Sequence, residues 1–100
     1  MREILFRGYS IETNKWVYGY LALENLIISR KKYIEYLVEP MSIGEWSGCR
    51  DINNIKIFEN DIVKVNDEYH QVVFDAGIFC LDNGLPLNNV EVIGNSYKVE

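Results

Sequence analysis

The chain has 100 residues, 48% of them hydrophobic and 25% charged, with seven Tyr, four Phe and two Trp. That is enough apolar material for one domain, with room for a small appended subdomain, and it excludes a disordered chain. The net charge of −5 is uneven: residues 1–49 hold six basic and six acidic groups, residues 50–100 four basic and nine acidic ones, which excludes a generic phosphate-backbone binder built on a positive field.

The first strand is expected from Glu3 to Tyr9. A polar turn at Glu12-Thr13-Asn14-Lys15 follows, then a return strand Trp16-Val17-Tyr18-Gly19-Tyr20-Leu21. Alternation puts Trp16, Tyr18 and Tyr20 on one face and Val17, Gly19 and Leu21 on the other. Residues 25–39 hold two β-rich runs, Asn25 to Ser29 and Tyr33 to Val38, around Arg30-Lys31-Lys32. Their β-branched and aromatic content and weak helical period predict a second hairpin with a basic turn.

Residues 40–54 are rich in Gly, Ser, Asp and Asn and read as an ordered loop. Within it, Gly44 and Gly48 bracket Trp46 and Ser47, which suggests an indole folded over the end of a barrel. Asp51 and Asn53 are placed to bond backbone two residues on and close the turn before Ile55. Ile55 to Asn60 then leads into a strand at Asp61 to Val65, and further strands are expected at Glu68 to Phe74, Ile78 to Leu81 and Val90 to Ile93. Turns at Asn66-Asp67, Asp75-Ala76-Gly77 and Asp82-Asn83-Gly84 separate them. Short strands at this spacing predict a small barrel or sandwich, and a barrel would leave no open edge.

One stretch carries a resemblance. Glu39-Pro40-Met41-Ser42-Ile43-Gly44-Glu45-Trp46-Ser47-Gly48, then Asp51-Ile52-Asn53, then Ile57-Phe58-Glu59-Asn60-Asp61-Ile62-Val63, resembles the YopX family of phages and integrated prophages of Gram-positive bacteria. Arg2-Glu3-Ile4, Lys15 to Tyr20 and Val90 to Tyr97 match in the same order. Asn54 and Asn60 depart from it, standing where that family usually has Gly; Asn is the next-best residue for positive φ. The segment between the N-terminal hairpins and this signature is also short. The resemblance implies an all-β fold, with N-terminal β-hairpins (1–40) packed on a C-terminal SH3-like barrel (41–100). It implies no enzymatic activity.

The chemistry-bearing residues are few. No apolar run approaches the ~18 residues of a membrane span, and Met1 to Arg7 lacks the long apolar core of a secretory signal. Cys49 and Cys80 stand 31 apart with no C-x-x-C spacing, so a reduced, cytoplasmic setting in a bacterial host is expected. His70 is the one histidine and shares a face with Val72 and Phe74; a Cys80–His70 dyad would need pairing across a hairpin. Three Cys and His residues in all are too few for a structural zinc site without a carboxylate. No phosphate-cradling glycine loop is present. No catalytic residue, metal or cofactor is therefore assigned.

Asp61 is expected to accept backbone N–H bonds at the start of a strand. The reading is a non-enzymatic module that binds or modulates a host or phage protein through Trp46 and the turn acids Asp67, Glu68, Asp75 and Asp82, with those acids as one negative face. The alternatives are a nucleic-acid-binding barrel using Tyr18, Tyr20, Arg30, Lys31 and Lys32, or a self-assembling structural protein, a homo-oligomer through exposed tyrosines.

Overall fold

The structure, a computed structural model, describes residues 3–97; Arg2 of the resemblance lies outside them. It is all-β, with antiparallel sheets and, among the described residues, ten strands and one 3-10 turn. The chain divides into two compact units, Met1–Trp46 and Ser47–Glu100.

In the first unit, β1 (Phe6–Tyr9) pairs with β2 (Trp16–Leu23) in the register Phe6↔Gly19 to Tyr9↔Trp16. Strand β2 also pairs with β3 (Leu26–Ser29), with a register shift between Leu21 and Leu23. The outer strand is β4 (Glu35–Leu37), opposite Leu26 to Ile28. Both expected hairpins form, and the basic run occupies the turn of the second, where Tyr33 takes positive φ. Ile27 and Val38 are fully buried, each contributing about 1.5–3 kcal/mol. Gly8 makes that packing possible, because a Cβ there would stand 2.9 Å from Val38.

The structure corrects two expectations here. β1 begins at Phe6, not Glu3. Residues 40–54 are not one loop: a 3-10 turn, Pro40–Ser42, leads into β5 (Gly44–Arg50). Gly44 and Glu45 pair with Arg7 and Phe6, and the Trp46 N–H donates to Leu5 O at 2.8 Å. Pairing with β1 overrides the turn-forming composition, so Trp46 is a half-buried strand residue and not an indole carried by a loop. Ser42, almost fully buried, anchors the approach: its hydroxyl donates to Glu39 O at 2.6 Å and accepts from the Tyr9 N–H at 2.7 Å.

The second unit contains β6 (Lys56–Phe58), β7 (Asp61–Val65), β8 (Glu68–Asp75), β9 (Ile78–Leu81) and β10 (Glu91–Asn95). Four of these make a sheet in the order β10-β7-β8-β9. The expected turns hold. Asn66 and Asp67 have φ of 50° and 63°, Ala76 and Gly77 of 52° and 83°, the positive pairs that suit two-residue hairpins. Asn54 and Asn60 also take positive φ, 65° and 73°. The core is Ile57, Val63, Val72, Leu81 and Val90, with Val65, Leu87 and Val92 against it.

The sheet does not close into a barrel. Its two edge strands, β9 and β10, are protected by neighbouring chain instead. Ile52 N–H donates to Val90 O at 3.1 Å, and Val92 N–H donates to the Asp51 carboxylate at 2.9 Å. On the other edge, Leu81 N–H donates to Leu85 O at 2.9 Å. Loops thus cover one end of each open edge.

Candidate functional site

The β7–β8 turn and the end of β9 lie at the same end of the second unit, because antiparallel pairing sets Val65 opposite Glu68 and Val72 opposite Leu81. His70 sits on the core face of β8, opposite Val63, with its side chain 14% exposed. Its Nδ1 lies 2.7 Å from Asp82 Oδ1 and its Nε2 is 3.6 Å from Glu68 Oε1. The second oxygen of Asp82 accepts the Gln71 backbone N–H at 3.2 Å.

A ring hydrogen-bonded to one carboxylate at Nδ1, with a second carboxylate 3.6 Å from Nε2, is favoured in its imidazolium form. The Asp82 carboxylate, with Glu68 beside it, accordingly raises His70 above its ordinary value against the opposing pull of burial. Asp82 is held below the usual carboxylate range, chiefly by the His70 bond and next by the Gln71 N–H. Asp67, at the turn, is almost fully exposed and 3.8 Å from Lys64.

Three of the four turn acids are therefore gathered at one end: Glu68 and Asp82 through His70, and Asp67 one residue before Glu68. Asp75 is not among them. It ends the eight-residue strand that Glu68 begins, about 23 Å away at ~3.3 Å per residue. Trp46 belongs to the other unit. The single negative face expected over four acids reduces to a three-acid end with a histidine at its centre. Only the single-histidine count marked His70 in the sequence; its link to Asp82 depends on the β8–β9 register.

Cys80 pairs with Val73, while His70 and Val72 share the opposite face, so no Cys80–His70 dyad forms. Cys80 is buried and Cys49 exposed, and neither is in a disulfide. Asp61, fully buried, accepts the Phe58 N–H at 2.7 Å as expected. Glu59 lies in the turn before it. Asp51 bonds two residues on, to the Asn53 N–H at 2.8 Å, and also to the Ile55 N–H at 2.8 Å. The Asn53 side chain instead points to Glu91, at 3.5 Å. Among the described residues no group of three His, Cys, Asp or Glu is arranged to hold a metal ion, and no helix is long and apolar enough to cross a membrane.

The aromatic and basic residues of the first unit gather separately. Tyr18 and Tyr20 project from β2, about half exposed. Arg30 stands 5.5 Å above the Tyr20 ring and forms an ion pair with Glu3. Arg7 lies 4.8 Å from the Trp16 ring. Tyr18, Lys31 and Lys32 line one shallow depression of about 280 Å3 with Trp16, Ser29 and Tyr36.

Neither the protein-family models nor the curated proteins contain a match to this chain.

Proposed function

We propose that this protein is a non-enzymatic interaction module of phage or prophage origin, similar to the YopX family, that binds or modulates a host or phage protein in the bacterial cytoplasm. The observation that carries the reading is the gathering of Asp67, Glu68 and Asp82 at one end of the second unit. That unit holds the whole net charge of −5, and complementary charge gives an interface its specificity and on-rate. In this reading the second unit is a partly open SH3-like barrel, with Ile57 of β6 and Val90 completing the core that the four-stranded sheet leaves open.

Affinity capture from a bacterial lysate at physiological salt tests it. Recovery of a stoichiometric protein that is lost on Asp67→Asn, Glu68→Gln and Asp82→Asn together supports the reading. Repeated failure to recover a partner, or a partner indifferent to the triple substitution and to salt, refutes it. Asp75→Asn serves as the control and leaves capture unchanged.

A second reading, single-stranded nucleic-acid binding by the first unit, draws on Tyr18, Lys31 and Lys32 sharing one depression and on the Arg30–Tyr20 stack. Bases stack on exposed rings while cations meet phosphates. Titration with single- and double-stranded oligonucleotides at low salt decides it, since no binding there excludes it. Light scattering that shows a monomer across working concentrations removes self-assembly through the exposed tyrosines.

A further inference from the structure

The end of the second unit that gathers the acids also holds a cavity of about 230 Å3. Val65, Leu81, Leu85 and Pro86 supply its apolar walls, and Glu68 and His70 lie on its polar side. Binding sites for whole small molecules run from roughly 300 to 1,000 Å3, so this one suits a single side chain. Apolar walls with an acid at the lip match an amphipathic cation, whose methylene stem packs on apolar surface while its charged head stays at the polar edge.

The surroundings select the same chemistry. Glu68 is 73% exposed, leaving its carboxylate accessible beside His70. Asp82 is occupied by His70 and Asp67 by Lys64, which leaves Glu68 as the carboxylate at the lip, on a unit whose net charge is −5. His70 Nδ1 already occupies Asp82, so of the two carboxylates beside the ring it is the exposed Glu68 that is placed to receive an incoming cation. The walls are held in place by the fold: Leu81 belongs to the buried core, and Leu81 N–H and Leu85 O bond across the loop that forms one side.

We propose that this cavity seats one arginine or lysine side chain of a basic protein partner. The stem lies between Leu81 and Leu85 with Pro86 and Val65, and the cation meets the Glu68 carboxylate. The proposal rests on the interaction-module reading and adds to it the chemistry of the partner residue and the place where it enters.

The test uses the full chain and two short Gly-Ser peptides, one with a central arginine and one with citrulline, which keeps nearly the same shape, removes the charge and puts an accepting carbonyl oxygen in place of one donating nitrogen. Titrations are followed by NMR of the Val65, Leu81 and Leu85 methyl groups. The arginine peptide is expected to give saturable shifts at those methyls, and the citrulline peptide to bind roughly two- to five-fold more weakly, the size of an exposed ion pair. Glu68→Gln weakens the arginine peptide by a similar factor and leaves the thermal midpoint unchanged. Leu85→Ser weakens both peptides. Equal binding of the two peptides, shifts confined to β2, or no saturable shift overturns the assignment. Capture of a lysate partner that survives Glu68→Gln while the peptide shows no binding would sink the cavity proposal and leave the interaction reading standing. Peptide binding without any lysate partner would do the reverse.

Discussion

Asp51 offers the sharpest test of how the second unit is held together. One of its carboxylate oxygens accepts the Asn53 and Ile55 N–H groups, each at 2.8 Å, and the other accepts the Val92 N–H at 2.9 Å. The residue is 8% exposed. Asp51→Ala removes all three acceptors at once. Asn53 and Ile55 are exposed, so water replaces most of what they lose, about 1 kcal/mol each. Val92 is half-buried in an edge strand, and its unsatisfied donor costs about 1–3 kcal/mol. The total is roughly 3–5 kcal/mol, against the 5–15 kcal/mol typical of a domain.

The assay is denaturant and thermal unfolding, with a fall in midpoint of at least about 10 °C expected. Amide exchange at Val92 accelerates in the same variant. Asp51→Asn does not rescue, because an amide presents one oxygen and must turn its NH2 toward either Val92 or the turn donors. Asn53→Ala, which removes only a long exposed contact to Glu91, costs under about 0.5 kcal/mol. An Asp51→Ala chain that unfolds within about 0.5 kcal/mol of the wild type, or keeps Val92 protected, would refute the reasoning.

Gly19 and His70 give two further outcomes. Gly19→Ala is destabilising by about 1–3 kcal/mol in chemical unfolding, because the added Cβ would run into the Ile28 carbonyl oxygen and stand 2.7 Å from its carbon; an unchanged midpoint would mean that β2 and β3 separate at no cost. For His70 the sign follows from direction: its value is raised above 6.5, so its contribution is complete below about pH 6.5 and is lost as pH rises through the folded value. Asp82 is lowered from 3.8, so its contribution is complete above that value and is lost as pH falls through the folded one. Stabilisation by the pair is therefore greatest between about pH 4 and 6.5. The wild-type midpoint is expected to drop as pH rises above about 6.5, and Asp82→Asn flattens that dependence while moving the imidazole NMR titration downward. Parallel pH profiles for the two proteins would contradict it.

The strands and turns were legible in the sequence wherever the signal was local. Ile78 to Leu81 forms as expected, and Asn66-Asp67 and Ala76-Gly77 make the turns because positive φ is a property of a few neighbouring residues. Alternation likewise placed Tyr18 and Tyr20 together, and His70 with Val72. Composition misled at residues 44–50, where Gly and Ser suggested a loop: the strand starts at Gly44 to Trp46, whose ladder partner is Leu5 to Arg7, nearly forty residues earlier.

The candidate site divides along the same line. That Asp67, Glu68, Asp75 and Asp82 lie at turns is a fact of the chain alone; which of them meet depends on strand length and register, which set Asp75 a whole strand away and bring Asp82 to His70 across the β8–β9 hairpin. The local half of Asp51's work, its bond to Asn53, follows from spacing, whereas its hold on Val92 spans 41 residues. Sequence by itself determined the β-rich character, the turns and the sign of the charge, because these depend on residues within a few positions of one another. Tertiary structure alone decided sheet order, protection of the open edges and the pairing of His70, because hydrogen-bond partners and burial come from segments that only folding brings together.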